Sequence, residues 1–514
     1  MASGRGWIRQ QHIDQLHRQI AERVTKPVPP FPLSSKQAQQ QMSFPTVNSA
    51  KAVPLKNGYA RKLYASKKSQ CSQSSYIDKI PSEIVLKIFS YLDTVSLLCV
   101  GSVNKRFHEL SKDNLLWYQI CSTLPPMKNS RWKPKHMDKV AEILNTSSLQ
   151  EKPPGYWKKT FINEILANRS NKITQILKSV KHSMGIPNNI EKVVKMSGLH
   201  WALTFKDTSG RVKIIKQMDV FFRHTSLTLF WGCLLWPSLE SVTTLQLHGI
   251  TPVLLDKWMP QTKNGPQRLS LIAEYNLSNF RSSRIIGQDA MVDVLLLYPG
   301  LLLGVWKTTS EIAFVMATLH YDQILEISTL GSADRPYIIP PHVPVLDDID
   351  PNYGLHGYQL HIDMHSGPRT YLCGTFRNLF CLRDYIRNGF LRLSAISMKN
   401  NRQHAPLVGK VGLMWKTPTF EGSIQNCFMM DVTVLDEAEK PFWCFSSPVS
   451  LHPSKNSESL YDFMGQSFTL KYEDSEGKVK TELVWMKETE EYYIINLVLY
   501  LSTKKVNSWF GTNY

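Results

Sequence analysis

Between Ile80 and Trp117 the chain reads IPSEIVLKIFSYLDTVSLLCVGSVNKRFHELSKDNLLW, and this stretch limits the fold more than any other. Pro81 suits the first turn of a helix, where its missing N–H is not needed. Ile84, Val85, Ile88, Phe89 and Leu92 then fall three and four apart, which predicts one apolar helical stripe. Asp93 is placed to cap a second helix that carries Val95, Leu97 and Leu98 and stops at Gly101. Ser102 is placed to cap a third, with Val103, Phe107 and Leu110 on one face. Helices of about three turns or fewer do not hold their shape alone, so the unit requires packing partners.

The residues are more specific than their periodicity. Ile80-Pro81-Ser82-Glu83-Ile84, Ile88-Phe89-Ser90-Tyr91-Leu92, Leu97-Leu98, Val103-Asn104-Lys105-Arg106-Phe107 and Asp113-Asn114-Leu115-Leu116-Trp117 resemble the F-box, in order and spacing and without a gap. Asn104 stands where that family often has Cys, and Phe107 where it often has Trp. The resemblance implies docking onto the Skp-type adaptor of an SCF ubiquitin ligase and, through it, onto a cullin and a RING subunit. It implies adaptor contacts from Ile80, Pro81, Ile84, Ile88, Phe89, Leu92, Leu97, Leu98 and Val103, with Phe107 and Trp117 holding the unit together. The function implied is that of a non-catalytic substrate receptor: the chain holds a protein target beside a ubiquitin-conjugating enzyme, and proximity does the rest. Two other readings remain open at this point, a β-domain enzyme or ligand-binding protein regulated through its F-box, and an F-box scaffold outside any ligase.

At 514 residues the chain exceeds one ordinary domain. Of its net charge of +18, about +10 falls before Tyr76, where twelve Lys and Arg face only Asp14 and Glu22. Such a tail attracts acidic partners weakly and in a salt-sensitive way; a solvated arm is expected, with no dedicated nucleic-acid site. Eight cysteines without a CxxC pair fit reduced thiols rather than a disulfide framework. No apolar run of signal-peptide length opens the chain, and none nears the ~18 residues of a membrane span. The expected localisation is cytoplasm, nucleus or both.

The fold expected is an α+β multidomain chain. Residues 1–75 form a basic, largely disordered tail with a short amphipathic helix at 7–24. Residues 76–122 form the F-box and 123–194 a helical linker, including a short helix at 138–144 and a longer one at 156–180. Residues 195–514 form a β-rich substrate-recognition domain. There, short β-branched and aromatic runs alternate with turns such as Asp207-Thr208-Ser209-Gly210, His365-Ser366-Gly367-Pro368 and Asp474-Ser475-Glu476-Gly477. Strands joined by hairpins, with no regular helix between them, predict a large antiparallel barrel or sandwich.

Catalytic chemistry is scarce. His356, His361, Asp363 and His365 are the one metal-like group; on a strand the last three share a face, as donors to an ion or as the polar side of a solvated strand. No metal or other cofactor is assigned. Cys373 and Cys381 lack zinc spacing, nucleotide-loop and GxSxG motifs are missing, and no Cys–His pair stands out.

Overall fold

The computed structural model describes residues 76–123, 152–181, 184–253, 265–278, 280, 283–344, 350–454 and 465–514. The expected tail, its helix at 7–24 and the short helix at 138–144 lie outside them. The first described unit is built from α1 (Ser82–Phe89), α2 (Thr94–Val100), α3 (Lys105–Leu110) and α4 (Asn114–Thr123). Asp93 caps α2 as expected, its side chain accepting from the Val95 N–H at 3.2 Å. The cap of α3 is Asn104 rather than Ser102: its Oδ1 accepts from the Phe107 N–H at 2.7 Å, two residues later than expected. Gly101 ends α2 in a right-handed conformation, and a Cβ there would sit 2.5 Å from Ser111 Oγ. That glycine serves a close approach of α2 to the end of α3.

From α4 the chain leads to α5 (Tyr156–Leu177), a single helix of 22 residues, about 33 Å long. Its start is fastened to the helical unit by the Asn114 amide, which donates to the carbonyls of Lys152 and Pro153 at 3.0 and 3.1 Å. The Gly155 N–H donates to Lys112 O at 2.8 Å. Trp157, Phe161, Ile162 and Ile165 enter the core of the F-box unit, while Ile173, Ile176 and Leu177 pack on the first β core. One helix therefore has an end in each of two hydrophobic cores. Val180, expected at its end, sits instead in a two-residue strand, and α6 (Ile190–Ser197) follows.

Most of the remaining described residues build four large antiparallel sheets, beside the two-stranded ladders Val180–Lys181 with Ile186–Pro187 and Gly412–Lys416 with Glu421–Gln425. In spatial order, the first holds Val212–Lys216, His200–Asp207, Val242–Pro252 and Gln267–Asn276. The second holds Asp219–Phe222, Ser226–Trp231, Ile312–His320, Leu301–Trp306, Val292–Leu297 and Arg284–Gln288. The third holds Arg369–Leu379, Tyr358–Ser366, Cys427–Leu435 and Pro441–Ser450. The fourth runs Phe390–Ile396, Glu491–Ser502, Gly477–Met486, Gln466–Glu473 and His452–Pro453, with Ala405–Leu407 also paired to Glu491–Ser502.

Alternation along the strands fixes how these sheets stack. Leu227, Leu229 and Trp231 enter the core shared with Trp201, Leu203 and Leu245 of the first sheet. Phe230, from the opposite face, packs with Phe314, Met316, Cys427 and Met429, joining the second sheet to the third. Leu360, Ile362, Met364, Met430 and Val432 then face Leu393, Leu483 and Leu499 of the fourth. The result is two sandwiches set back to back, and none of the four sheets closes into a barrel.

In the strand Val242–Pro252 Leu245 and Leu247 alternate with Gln246 and His248, so the polar pair shares the face opposite the first core. Both are buried and partnered, Gln246 by Glu274 and His248 by Thr204. A Cβ on Gly249 of this strand would lie 2.2 Å from Ser328 O, so the glycine admits α7 (Ile324–Thr329) against the sheet. That helix, and α8 (Thr503–Phe510), depart from the expectation of strands without helices among them.

Candidate functional site

Residues i and i+4 share a helical face while i and i+1 stand about 100° apart. The expected single stripe of α1 accordingly divides in two. Val85 and Phe89 are buried, Phe89 meeting Phe107 of α3 edge to face at 5.5 Å. Ile84 and Ile88 point the other way, 54% and 49% exposed, with nothing apolar over them among the described residues. Val103, 68% exposed, stands out just ahead of the α3 cap, and Pro81 is exposed at the start of α1. Of the other expected contacts, Leu97 and Leu98 lie in the core, and Ile80 and Leu92 are half-buried against it. The geometry thus separates Ile84, Ile88, Val103 and Pro81, which a partner can reach, from Phe89, Leu97 and Leu98, which hold the unit together. Tyr91, 77% exposed with Lys87 over its ring, belongs with the accessible group, and periodicity gave no reason to include it.

Arg106 keeps this face in place. Its guanidinium donates to the carbonyls of Ile77, at 3.2 Å, and Ile80, fixing the segment that enters α1. Phe107 is half-buried against Phe89, and Trp117 is fully buried. The indole of Trp117 donates to Ser111 O at 2.7 Å and packs on Phe161 of α5 at 5.4 Å. Trp117 therefore joins the F-box unit to the spacer helix as well as closing the unit itself.

The F-box-like family pattern matches residues 77–123. Over 441 residues the chain is 50% identical to F-box only protein 15 of Homo sapiens, covering 86% of each. Over 435 residues it is 40% identical to F-box only protein 15 of Mus musculus, covering 84% of this chain and the whole of that one. The chain belongs to the F-box only protein 15 family. F-box domains bind Skp-type adaptors, and proteins that carry them typically serve as substrate receptors of SCF ligases. In this member of the F-box only protein 15 family the matched stretch ends with α4, so α5 and the four large sheets lie beyond it. No described helix is long and apolar enough to cross a membrane.

The metal-like group takes a different form from either expectation. Among the described residues no three His, Cys, Asp or Glu are arranged to hold a metal ion. His356 lies apart, bonded to Asp350 at 2.6 Å. His361, Asp363 and His365 do share a face, but that face is buried between the second and third sheets. His365 Nε2 lies 3.0 Å from Asp431 Oδ2, which also accepts from Thr225. Arg223 reaches Asp363 at 3.5 Å and Thr370. His361 bonds to Thr375 at 2.7 Å, and His320 to Thr433 at 2.9 Å. Burial pushes His320 and His361 down to about 4 and raises the Asp363 carboxyl. Burial works against the Asp431 carboxylate as well, yet the charge and hydrogen bond of His365 hold it below the usual range. The period-two alternation was correct; a second sheet, rather than water, covers the polar side.

Cys373 Sγ lies 3.9 Å from His361 Nε2, the Cys–His pairing that sequence did not single out. Burial and the nearby Asp363 raise that thiol, and burial raises Cys121, Cys381, Cys427 and Cys444 too, away from the thiolate a nucleophile needs. A cleft of about 640 Å³ opens between the two sandwiches, with Asp322, Tyr298 and Ser446 among its lining.

Proposed function

We propose that this chain is the substrate-recognition subunit of an SCF-type ubiquitin ligase, active in the cytoplasm, the nucleus or both. Residues 76–122 bind the Skp-type adaptor and, through it, the cullin and RING subunit; residues 123–194 space the two ends; residues 195–514 hold a protein target. The chain performs no bond chemistry. It raises the local concentration of target lysines at the ubiquitin-charged enzyme, and the gain depends on linker geometry. The observation that carries this reading is α5: its first turns are built into the core beneath the Ile84 and Ile88 face, and its last turn into the first β core. A rigid helix of that kind maintains a fixed distance and angle between adaptor and target, which a flexible linker would not.

Placing Lys at both Ile84 and Ile88 sets two charges on an apolar contact and tests the proposal directly. Tagged full-length protein should recover the adaptor, cullin and RING subunit, and the double variant should recover none of them. Proteins that accumulate on the double variant, or on the parent under proteasome inhibition, are the candidate targets. Undiminished recovery of the ligase by the double variant would overturn the assignment.

A further inference from the structure

The strand Val212–Lys216 stands at the end of the first sheet, with His200–Asp207 on one side and no described strand on the other. Residues opposite one another on antiparallel strands alternate between pairs that exchange hydrogen bonds and pairs that do not. The Gln217 N–H donates to Trp201 O and the Asp207 N–H to Arg211 O, both at 3.0 Å, so the bonded pairs are the odd-numbered ones. The N–H and C=O of Val212, Ile214 and Lys216 therefore point away from the sheet, along its open edge. The opposite edge of the same sheet is closed in part, for there the Leu271 N–H donates to Ser332 O at 2.8 Å.

Val212 and Ile214 share one face of the strand and are 55% and 53% exposed. Lys213 and Ile215 take the other face, where Ile215 packs against the first β core. Beside Lys213 runs the loop of Leu234 and Leu235, both exposed, held by the Lys213 ammonium, which donates to Leu235 O at 2.7 Å. Lys213 and Lys216 are exposed, and the ion pair of this hairpin, Arg211 with Asp207 at 3.6 Å, uses neither. The edge thus joins unpaired backbone groups, two bare apolar side chains and two lysine charges that face no carboxylate among the described residues. Lysines on an edge strand discourage pairing between copies of one chain, because two such edges repel. An acidic strand meets no such penalty.

We propose that an extended acidic segment of the target docks here, adding an antiparallel strand to the first sheet beside Val212–Lys216. Main-chain bonds to Val212, Ile214 and Lys216 supply affinity, and alternate side chains supply selectivity. Residues directly opposite one another share a face, so apolar side chains belong opposite Val212 and Ile214, and acidic ones opposite Lys213 and Lys216. Read from its N-terminus, the segment runs acidic, any residue, apolar, acidic, apolar. Ile215 packs on the same core as Ile173, Ile176 and Leu177 of α5, so a strand added here is held at a fixed distance from the adaptor face. The inference rests on the receptor reading, which makes the segment part of a ubiquitination target.

The test uses the full-length chain, with and without its adaptor, and two fluorescent peptides read by anisotropy. One carries Glu-Thr-Val-Glu-Val between Ser-Gly flanks, and the other Lys-Thr-Val-Lys-Val in the same flanks. The acidic peptide should bind about tenfold or more tighter than the basic one in low salt. Ile214→Pro removes an N–H that faces outward, spares the bonds of the sheet itself and should weaken the acidic peptide about tenfold at an unchanged melting temperature. Lys213→Glu with Lys216→Glu should reverse the preference, a gain of binding to the basic peptide that a misfolded protein would not show. The inference is overturned if the parent binds neither peptide or both alike, or if the charge reversal leaves the acidic peptide within about twofold of its parent affinity. A dimer of the parent that Ile214→Pro dissolves would overturn it in favour of self-pairing. Loss of adaptor recovery with peptide binding intact would instead count against the receptor reading alone.

Discussion

Replacing Ile84 and Ile88 by alanine should weaken adaptor binding and leave the fold intact, while the same truncation one residue along should do the reverse. Burying an isoleucine fully is worth about 1.5–3 kcal/mol, and a contact can recover only the part still open to water. Ile84 and Ile88 keep 54% and 49% of their surface exposed. The pair should therefore contribute about 2 kcal/mol to the complex, or roughly thirtyfold in Kd. Phe89 lies on the other face, buried against Phe107, and Phe89→Ala should cost about 3–5 kcal/mol of stability. Calorimetric titration of purified adaptor into each full-length variant measures the first quantity, and thermal melting the second. The two-faced reading of α1 is refuted if I84A/I88A lowers the melting temperature as far as F89A does. It is refuted equally if I84A/I88A leaves Kd within about twofold of the parent.

Trp117→Ala should remove the joint between F-box and α5 at a cost of about 3–5 kcal/mol; limited proteolysis should then cut between residues 123 and 160 far sooner than in the parent. Asn104→Ala should remove the α3 cap for about 1 kcal/mol, read as a small fall in melting temperature, while Ser102→Ala should change nothing measurable. The buried His320 and His361 stay neutral when folded, with values near 4 against an ordinary 6.5, whereas the unfolded chain protonates them below 6.5. Stability present above pH 6.5 should thus be lost as the pH falls toward 4, and H320Q/H361N should flatten that profile; a melting temperature constant from pH 7.5 to 5 would contradict it. Deleting residues 1–75 should leave adaptor affinity in high salt unchanged, because a basic tail acts through screened attraction; a large loss there would mean that the tail packs.

Sequence alone determined the local features. The F-box residues, the Asp93 cap, the hairpins closed by Asp207–Gly210 and Asp474–Gly477 and most strands depend on neighbours a few positions away, so their signals sit in short windows. The antiparallel sheets followed from those hairpins. What only the tertiary structure decided is which side of a periodic element meets which surface. Apolar residues on α1 read as one stripe whether they face a core or a missing partner, and only the position of Phe107 separates Phe89 from Ile88. His361, Asp363 and His365 carry the same alternation whether water or a second sheet covers them, and the covering residues, Arg223 and Thr225, lie tens of positions away or more. Their placement comes from the packing of one sandwich on another. Periodicity records that a side differs from its opposite; it does not record what lies against it.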